Sequence, residues 1–133
     1  MKLPFFASLS AVVCGAAFGA AARWLLALWL DTPDQPFSRA TLSANWIGAL
    51  LIGLAAGLAD SLPDLPPYWK LWLITGLLGS LTTFSGFSLE IVAMLQQQRY
   101  SAAVLTILLH LGGSLLFTAG GLFLVRLLHH SAV

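Results

Sequence analysis

The chain carries very little charge. It has only six Lys or Arg and five Asp or Glu among 133 residues. A soluble domain has roughly 25% charged residues, so 8% charge together with 59% hydrophobic residues excludes an ordinary soluble protein and indicates an integral membrane protein. The net charge of +1 is too small to suggest nucleic acid or an acidic partner.

Cysteine is also nearly absent, because Cys14 is the only one. No intrachain disulfide is possible, and the apolar neighbours of Cys14 predict a small buried hydrophobe rather than a reactive thiol. Ser and His occur, but no acid is placed to orient a base, so we expect no catalytic triad and no enzyme activity.

Long apolar runs account for most of the chain. A membrane-spanning helix needs about 20 mostly apolar residues, and four segments meet this requirement: residues 5–30, 40–59, 69–95 and 102–128. Polar or proline-rich segments separate them. We therefore predict an all-α membrane protein with four transmembrane helices in a single domain, residues 1–133.

The third span is interrupted at its middle. The segment Gly79–Ser88 contains five hydroxyl residues, two glycines and two phenylalanines. Breaker-rich sequence at membrane depth is tolerated only inside protein or against a polar cavity. Transport proteins place ions at such interrupted helices, so this segment is the best candidate for the functional site.

Basic residues give no bias toward one orientation in the membrane. Four spans put three of them on each side: Lys2, Lys70 and Arg126 against Arg23, Arg39 and Arg99. A chain without a positive-inside bias can insert both ways, and opposite insertions can pair. The count alone leaves open that one orientation dominates. Small residues at four-residue intervals, such as Ala49, Gly53 and Gly57, favour close helix packing within or between subunits.

Three residues stand out as candidates for contact with an anion. The Asn45 amide, early in span two, is either interhelical glue or a donor pointed at an anion. Phe84 and Phe87 share a helical face, and phenyl ring edges are electropositive. Two phenylalanines usually serve packing, but their place inside the hydroxyl-rich interruption favours an ion-binding role.

Ionisable and hydroxyl residues complete the set of candidates. Glu90 is the only acid in the apolar part of the chain and follows Phe87 by three, toward an aqueous mouth. Arg23 is the matching base, with snorkelling as its alternative role. In span four a polar stripe recurs every four residues: Thr106, His110, Ser114 and Thr118. The hydroxyls either donate to the carbonyl four residues earlier in their own helix or line a polar track.

Two motifs together identify a family. The segments Thr41–Gly48 (TLSANWIG) and Gly79–Glu90 (GSLTTFSGFSLE) resemble the Fluc, or CrcB, family of bacterial fluoride channels. Its usual pattern is close to GGLTTFSTFS, so Ser80 and Gly86 are departures. The resemblance covers nearly the whole chain in matching order.

The resemblance implies an inverted, dual-topology homodimer in the bacterial cytoplasmic membrane, with two antiparallel fluoride pores. It assigns six residues to the pore: Asn45, Phe84, Phe87, Thr106, His110 and Ser114. We add Thr83 and Ser85, hydroxyl residues of the interruption, to the predicted pore. It further implies a vestibule at Arg23, and a sodium ion at the dimer twofold held by the Gly79 and Thr82 carbonyls. The position of Glu90 adds this residue to the predicted vestibule. The main alternative is a small multidrug-type exporter, but that class has an essential acid in span one, where this chain has none.

Overall fold

The structure is a computed structural model that describes residues 4–61 and 66–130, all of whose regular structure is helical. Helix α1 is Phe5–Leu30 and α2 is Arg39–Ser61. Helix α3 covers residues 68–81, α4 is Phe84–Gln96 and α5 is Tyr100–His130.

The four predicted spans are confirmed. Within residues 4–61 and 66–130 there are four spans long and apolar enough to cross a membrane, with α3 and α4 together forming the third. Their ends differ from the predicted ones by a few residues at most. Lys2, which enters the charge count, and residues 62–65 of the second predicted loop lie outside the described residues. Cys14 is exposed on α1 rather than buried.

The interruption of the third span is also confirmed, but it is shorter than Gly79–Ser88. Only Thr82 and Thr83 are extended, with ψ angles of 151° and 118°. The helix restarts at once because Thr83 caps α4: its hydroxyl accepts a hydrogen bond from the Gly86 N–H at 3.1 Å. The interruption is therefore a two-residue break between two helix ends.

The approach to this break is wound unusually. Residues Leu71–Leu78 of α3 form a π-helix, flanked by single α-helical turns at Tyr68–Lys70 and Gly79–Leu81. π-Helical stretches are rare and often occur at functional sites. Here one α-helical turn, Gly79–Leu81, separates the wide turns from the break.

Glycines bring the helices into backbone contact. A Cβ on Gly15 or Gly76 would meet main-chain atoms of the opposite helix, so α1 and α3 pack closely. Across the α2–α5 contact, a Cβ on Gly53 would meet the Thr118 carbonyl, and a Cβ on Gly121 would meet the Leu50 carbonyl. Much of the small-residue pattern therefore serves packing within one subunit.

This packing predicts unequal effects of alanine at two adjacent glycines. In Gly121→Ala, the new Cβ would lie 2.6 Å from the Leu50 carbonyl and 2.9 Å from the Leu54 nitrogen, both of them backbone atoms. We expect a loss of about 1–3 kcal/mol in unfolding free energy. A Cβ at Gly120 meets nothing within 4 Å, so Gly120→Ala is the matched control. Reversible unfolding in detergent measures both, and equal stability of the two variants would contradict the packing.

Candidate functional site

A groove of about 450 Å³ lies against the break in the third span. It brings together most of the candidates selected from the sequence. Those candidates are Asn45, Gly79, Thr82, Thr83, Phe84, Phe87, His110 and Ser114. Thr118 and apolar residues of α2, α3 and α5, among them Ile52, Leu78 and Leu115, form the rest of the wall.

The break places two helix ends of opposite polarity side by side. The Thr83 N–H, which would bond the Gly79 carbonyl in a continuous helix, donates to Asn45 instead. The Gly86 N–H, which would bond the Thr82 carbonyl, donates to the Thr83 hydroxyl. Both carbonyls thus lose their helical donors, while α4 begins with its N–H groups and the positive end of its dipole at the groove.

Asn45 clamps the break. Its Oδ1 accepts from the Thr83 N–H at 2.8 Å, and its Nδ2 donates to the Thr83 carbonyl at 3.1 Å. The same Nδ2 lies 3.1 Å from Nδ1 of His110. The amide therefore has protein partners for its acceptor and its donors, as the role of interhelical glue requires.

His110 is the most deeply placed polar side chain of the groove, with 3% of its surface exposed. Phe87, itself 6% exposed, stacks on the imidazole with ring centroids 4.7 Å apart and an interplanar angle of 29°. Nε2 has no hydrogen-bond partner among the described residues and is inaccessible to solvent. The ring is thus fixed by Asn45 on one side and by Phe87 on one face.

The two phenylalanines of the motif have different surroundings. Their ring centroids are 5.4 Å apart with an interplanar angle of 55°. Phe87 is buried, whereas 71% of Phe84 is exposed. Both rings line the groove. The Phe84 ring forms its rim, and a single subunit leaves this ring exposed.

The polar stripe of α5 does not stay on the groove. Ser114 and Thr118 line it, and the Thr118 hydroxyl donates to the Ala49 carbonyl at 3.1 Å. Thr106 does not: it is 1% exposed, and its hydroxyl donates to the Met94 sulfur at 3.7 Å. The structure therefore places Thr106 in the packing between α4 and α5, and its pore role stays a prediction.

Three further candidates lie off the groove. Ser85 is exposed, with its hydroxyl 3.2 Å from that of Thr83. Glu90 accepts from the Ser38 N–H at 3.2 Å, beside a separate polar cavity under the α1–α2 loop. Arg23 is half-buried on α1 and lines neither cavity. Glu90 thus holds the α1–α2 loop in place, and its vestibule role stays a prediction.

Sequence reasoning overlooked Gly48, which makes room for the break. It lines the groove, and a Cβ there would collide with Cγ2 of Thr82. Its spacing of three from Asn45 on α2 was the available signal, since positions three apart share a helical face.

Comparison with known proteins identifies the family of this chain. The family described as "CrcB-like protein, Camphor Resistance (CrcB)" matches residues 10–122. A "Fluoride-specific ion channel FluC" of Albidiferax ferrireducens is 52% identical over 115 residues, which are 86% of this chain and 88% of the relative. Another of that name, from Variovorax paradoxus, is 49% identical over 96% of this chain and 98% of its own length. A third, from Cupriavidus pinatubonensis, is 52% identical over 89% and 94% of the two chains. With a broken third span and these relatives over most of its length, the chain belongs to the CrcB family of multi-pass membrane proteins.

Proposed function

We propose that the protein is a fluoride-selective passive channel of the bacterial cytoplasmic membrane. The observation that carries the proposal is the groove at the break, where phenylalanine rings, hydroxyls and the N-terminus of α4 meet without a fixed charge in the wall. The relatives named fluoride-specific ion channels support the choice of ion. Passive conduction forms no covalent bond, so no catalytic residue is needed.

The chemistry of the groove suits a small, strongly hydrated anion. A selective path must replace the water of fluoride with many hydrogen-bond donors, yet bind weakly enough to release the ion. Ring edges of Phe84 and Phe87, the Ser114 hydroxyl and the first N–H groups of α4 supply partial positive charges of this kind. An interior-negative potential of roughly 100 mV assists anion exit by about 2.3 kcal/mol per charge.

The proposed working unit is an antiparallel homodimer. The groove is one-sided, and the 71% exposure of Phe84 leaves a large aromatic ring at its rim without cover. A second copy in the opposite orientation would cover that ring. The groove of each subunit would then be closed into a pore, which gives two antiparallel pores. The balanced basic residues on the two sides support mixed orientation.

We further propose a structural sodium ion at the dimer twofold. The Gly79 and Thr82 carbonyls fit this role because the break removes their helical donors. Two subunits would supply four such neutral oxygens, which suit a hard monovalent cation without any carboxylate. The alternative of a multidrug-type exporter gains no support, because α1 has no acid within Phe5–Leu30.

The first prediction concerns the phenylalanine rings. Phe84→Ile or Phe87→Ile keeps apolar bulk but removes the electropositive ring edge. We expect fluoride efflux from proteoliposomes to fall at least about tenfold, a cost of about 1.4 kcal/mol in the transport barrier. The control is Phe123→Ile, an exposed phenylalanine of α5 outside the groove. Efflux at the wild-type rate in a folded double variant would remove ring edges from the mechanism.

A second prediction follows from the Asn45 clamp. Asn45→Asp removes the N–H donor that bonds the Thr83 carbonyl and Nδ1 of His110. It places a carboxylate oxygen, which is an acceptor, next to both atoms. We expect at least about a tenfold loss of efflux, because a broken buried hydrogen bond costs about 1–3 kcal/mol. Gln96→Glu, the same change on an exposed residue at the end of α4, should conduct normally. Comparable efflux from both variants would contradict the clamp.

The third prediction is dual topology. A single cysteine added after the C-terminus, in a Cys14→Ala background, should react with a membrane-impermeant thiol reagent in part in intact cells and fully after permeabilisation. This result requires both orientations to be present. Complete labelling, or complete protection, in intact cells would show one orientation and remove the antiparallel dimer.

A further inference from the structure

The indole of Trp46 is bonded to the neighbouring helix. Its Nε1–H donates to the Leu109 carbonyl of α5 at 2.9 Å, and its ring centroid lies 5.3 Å from that of Phe117. Tryptophan in membrane proteins is enriched at the headgroup level, where its N–H can reach polar partners outside the protein. Here the N–H is used inside the subunit, on a carbonyl whose other lone pair accepts the ordinary helical bond from four residues later.

Gly113 leaves the Leu109 carbonyl open to the indole. Side chains on a helix point toward its N-terminus, so a side chain at position 113 would cover the turn that contains residue 109. A Cβ on Gly113 would collide with Nε1 of Trp46 and lie 2.7 Å from Cε2 of the same ring. A Cβ on the adjacent Gly112 would meet nothing within 4 Å in the part of the chain that the structure describes. The indole is therefore seated on one specific glycine.

This seat adjoins the Asn45 clamp on both helices. Trp46 follows Asn45 on α2, and Leu109 precedes His110 on α5. The indole bond of 2.9 Å and the 3.1 Å contact between Asn45 and His110 are thus neighbouring links between the same two helices. Consecutive helical residues point about 100° apart. Asn45 accordingly faces the groove, whereas Trp46 lies outside the groove lining.

The bonds of Asn45 to Thr83, 2.8 and 3.1 Å long, tolerate little sliding of α2. One helical rise is about 1.5 Å, and a slide of that size that lengthens a bond takes it to the usual limit of about 3.2 Å or beyond. Another directed bond between α2 and α5 runs from the Thr118 hydroxyl to the Ala49 carbonyl. Because a hydroxyl rotates to suit its acceptor, it constrains the register less than a planar indole does.

We infer that Trp46 is a positioning residue whose indole sets the register of α2 against α5 and so brings Asn45 to the break. Gly113 supplies the seat, and the Leu109 carbonyl supplies the acceptor. Trp46 lies outside the groove and acts through Asn45 rather than on the ion. Its consequence for transport rests on the proposed function, whereas the register of the two helices does not.

The register is tested without transport, because Asn45 is the only asparagine of the chain. Labelling with ¹⁵N-asparagine in a lipid bilayer gives a single side-chain amide signal, which reports the bonds of Nδ2. Trp46→Phe removes the indole donor and keeps an aromatic ring beside Phe117. We expect the Asn45 amide signal to shift and its hydrogen exchange to become at least about tenfold faster. An unchanged signal in folded Trp46→Phe would overturn the inference.

Two further variants separate the bond from the packing. Phe117→Leu removes the ring beside the indole but keeps the indole donor and its acceptor, so it should lower thermal stability and leave the Asn45 signal in place. Trp29→Phe makes the same change at a tryptophan of α1 that is 75% exposed, and it should alter neither. Equal shifts of the signal in Phe117→Leu and Trp46→Phe would show a packing role alone and overturn the inference.

The glycine seat provides an independent variant. Gly113→Ala should displace the indole and shift the Asn45 signal as Trp46→Phe does, because the new Cβ takes the place of the ring. Gly112→Ala is the matched control and should leave the signal unchanged. If Trp46→Phe does not fold, this pair decides the inference, and identical Asn45 signals in the two alanine variants would overturn it.

Transport measurements distinguish the inference from the proposed function. Fluoride efflux from proteoliposomes should fall about five- to tenfold in Trp46→Phe and stay unchanged in Trp29→Phe. If the unsubstituted chain moves no fluoride, the proposed function fails, and the Asn45 signal still decides the register. If the chain conducts and folded Trp46→Phe conducts equally well, Trp46 does not position the ion path and the inference is wrong.

Discussion

The structure depends on one constraint, that a break in a membrane-spanning helix must find hydrogen bonds for its own backbone. In hydrocarbon there is no water to provide them. Asn45 satisfies both main-chain groups of Thr83, with bonds of 2.8 and 3.1 Å, and the Thr83 hydroxyl caps the helix that follows. The same bonds withdraw donors from the Gly79 and Thr82 carbonyls and bring the start of α4 to the groove. Stability and the proposed ion path therefore share the same few atoms.

Composition predicted the four spans, because a low charge content and apolar runs of about 20 residues leave few alternatives. The length of the break was harder to predict. Ser80 and Thr82 look like helix breakers, yet their hydroxyls donate to the carbonyls of Gly76 and Leu78 four residues earlier, and the helix continues to Leu81. The π-helical winding over Leu71–Leu78 had no signal in its uniformly apolar sequence.

At the site, the motif indicated which side chains meet, but not what each one bonds. A stripe with a period of four drifts by about 40° per step around a helix of 3.6 residues per turn. Thr106 and Thr118 consequently point in directions about 120° apart, one toward Met94 and the other toward Ala49. The contact of Glu90 was not predictable, because its partner, the Ser38 N–H, belongs to a loop whose path no local pattern shows.

The position of the full charges fits the proposed conduction. Glu90 and Arg23 lie off the groove, so an anion there would meet only partial charges from ring edges, hydroxyls and backbone N–H groups. The Coulomb attraction between two full charges is much stronger in a site of low dielectric constant than in water. A full positive charge in the groove would therefore bind a permeating anion too tightly to release it. Many weak donors held in fixed directions replace the hydration shell and still allow release. Rigidity is then what selectivity requires, and the Asn45 bonds to Thr83 and His110 supply it by fixing the helix end and the imidazole together.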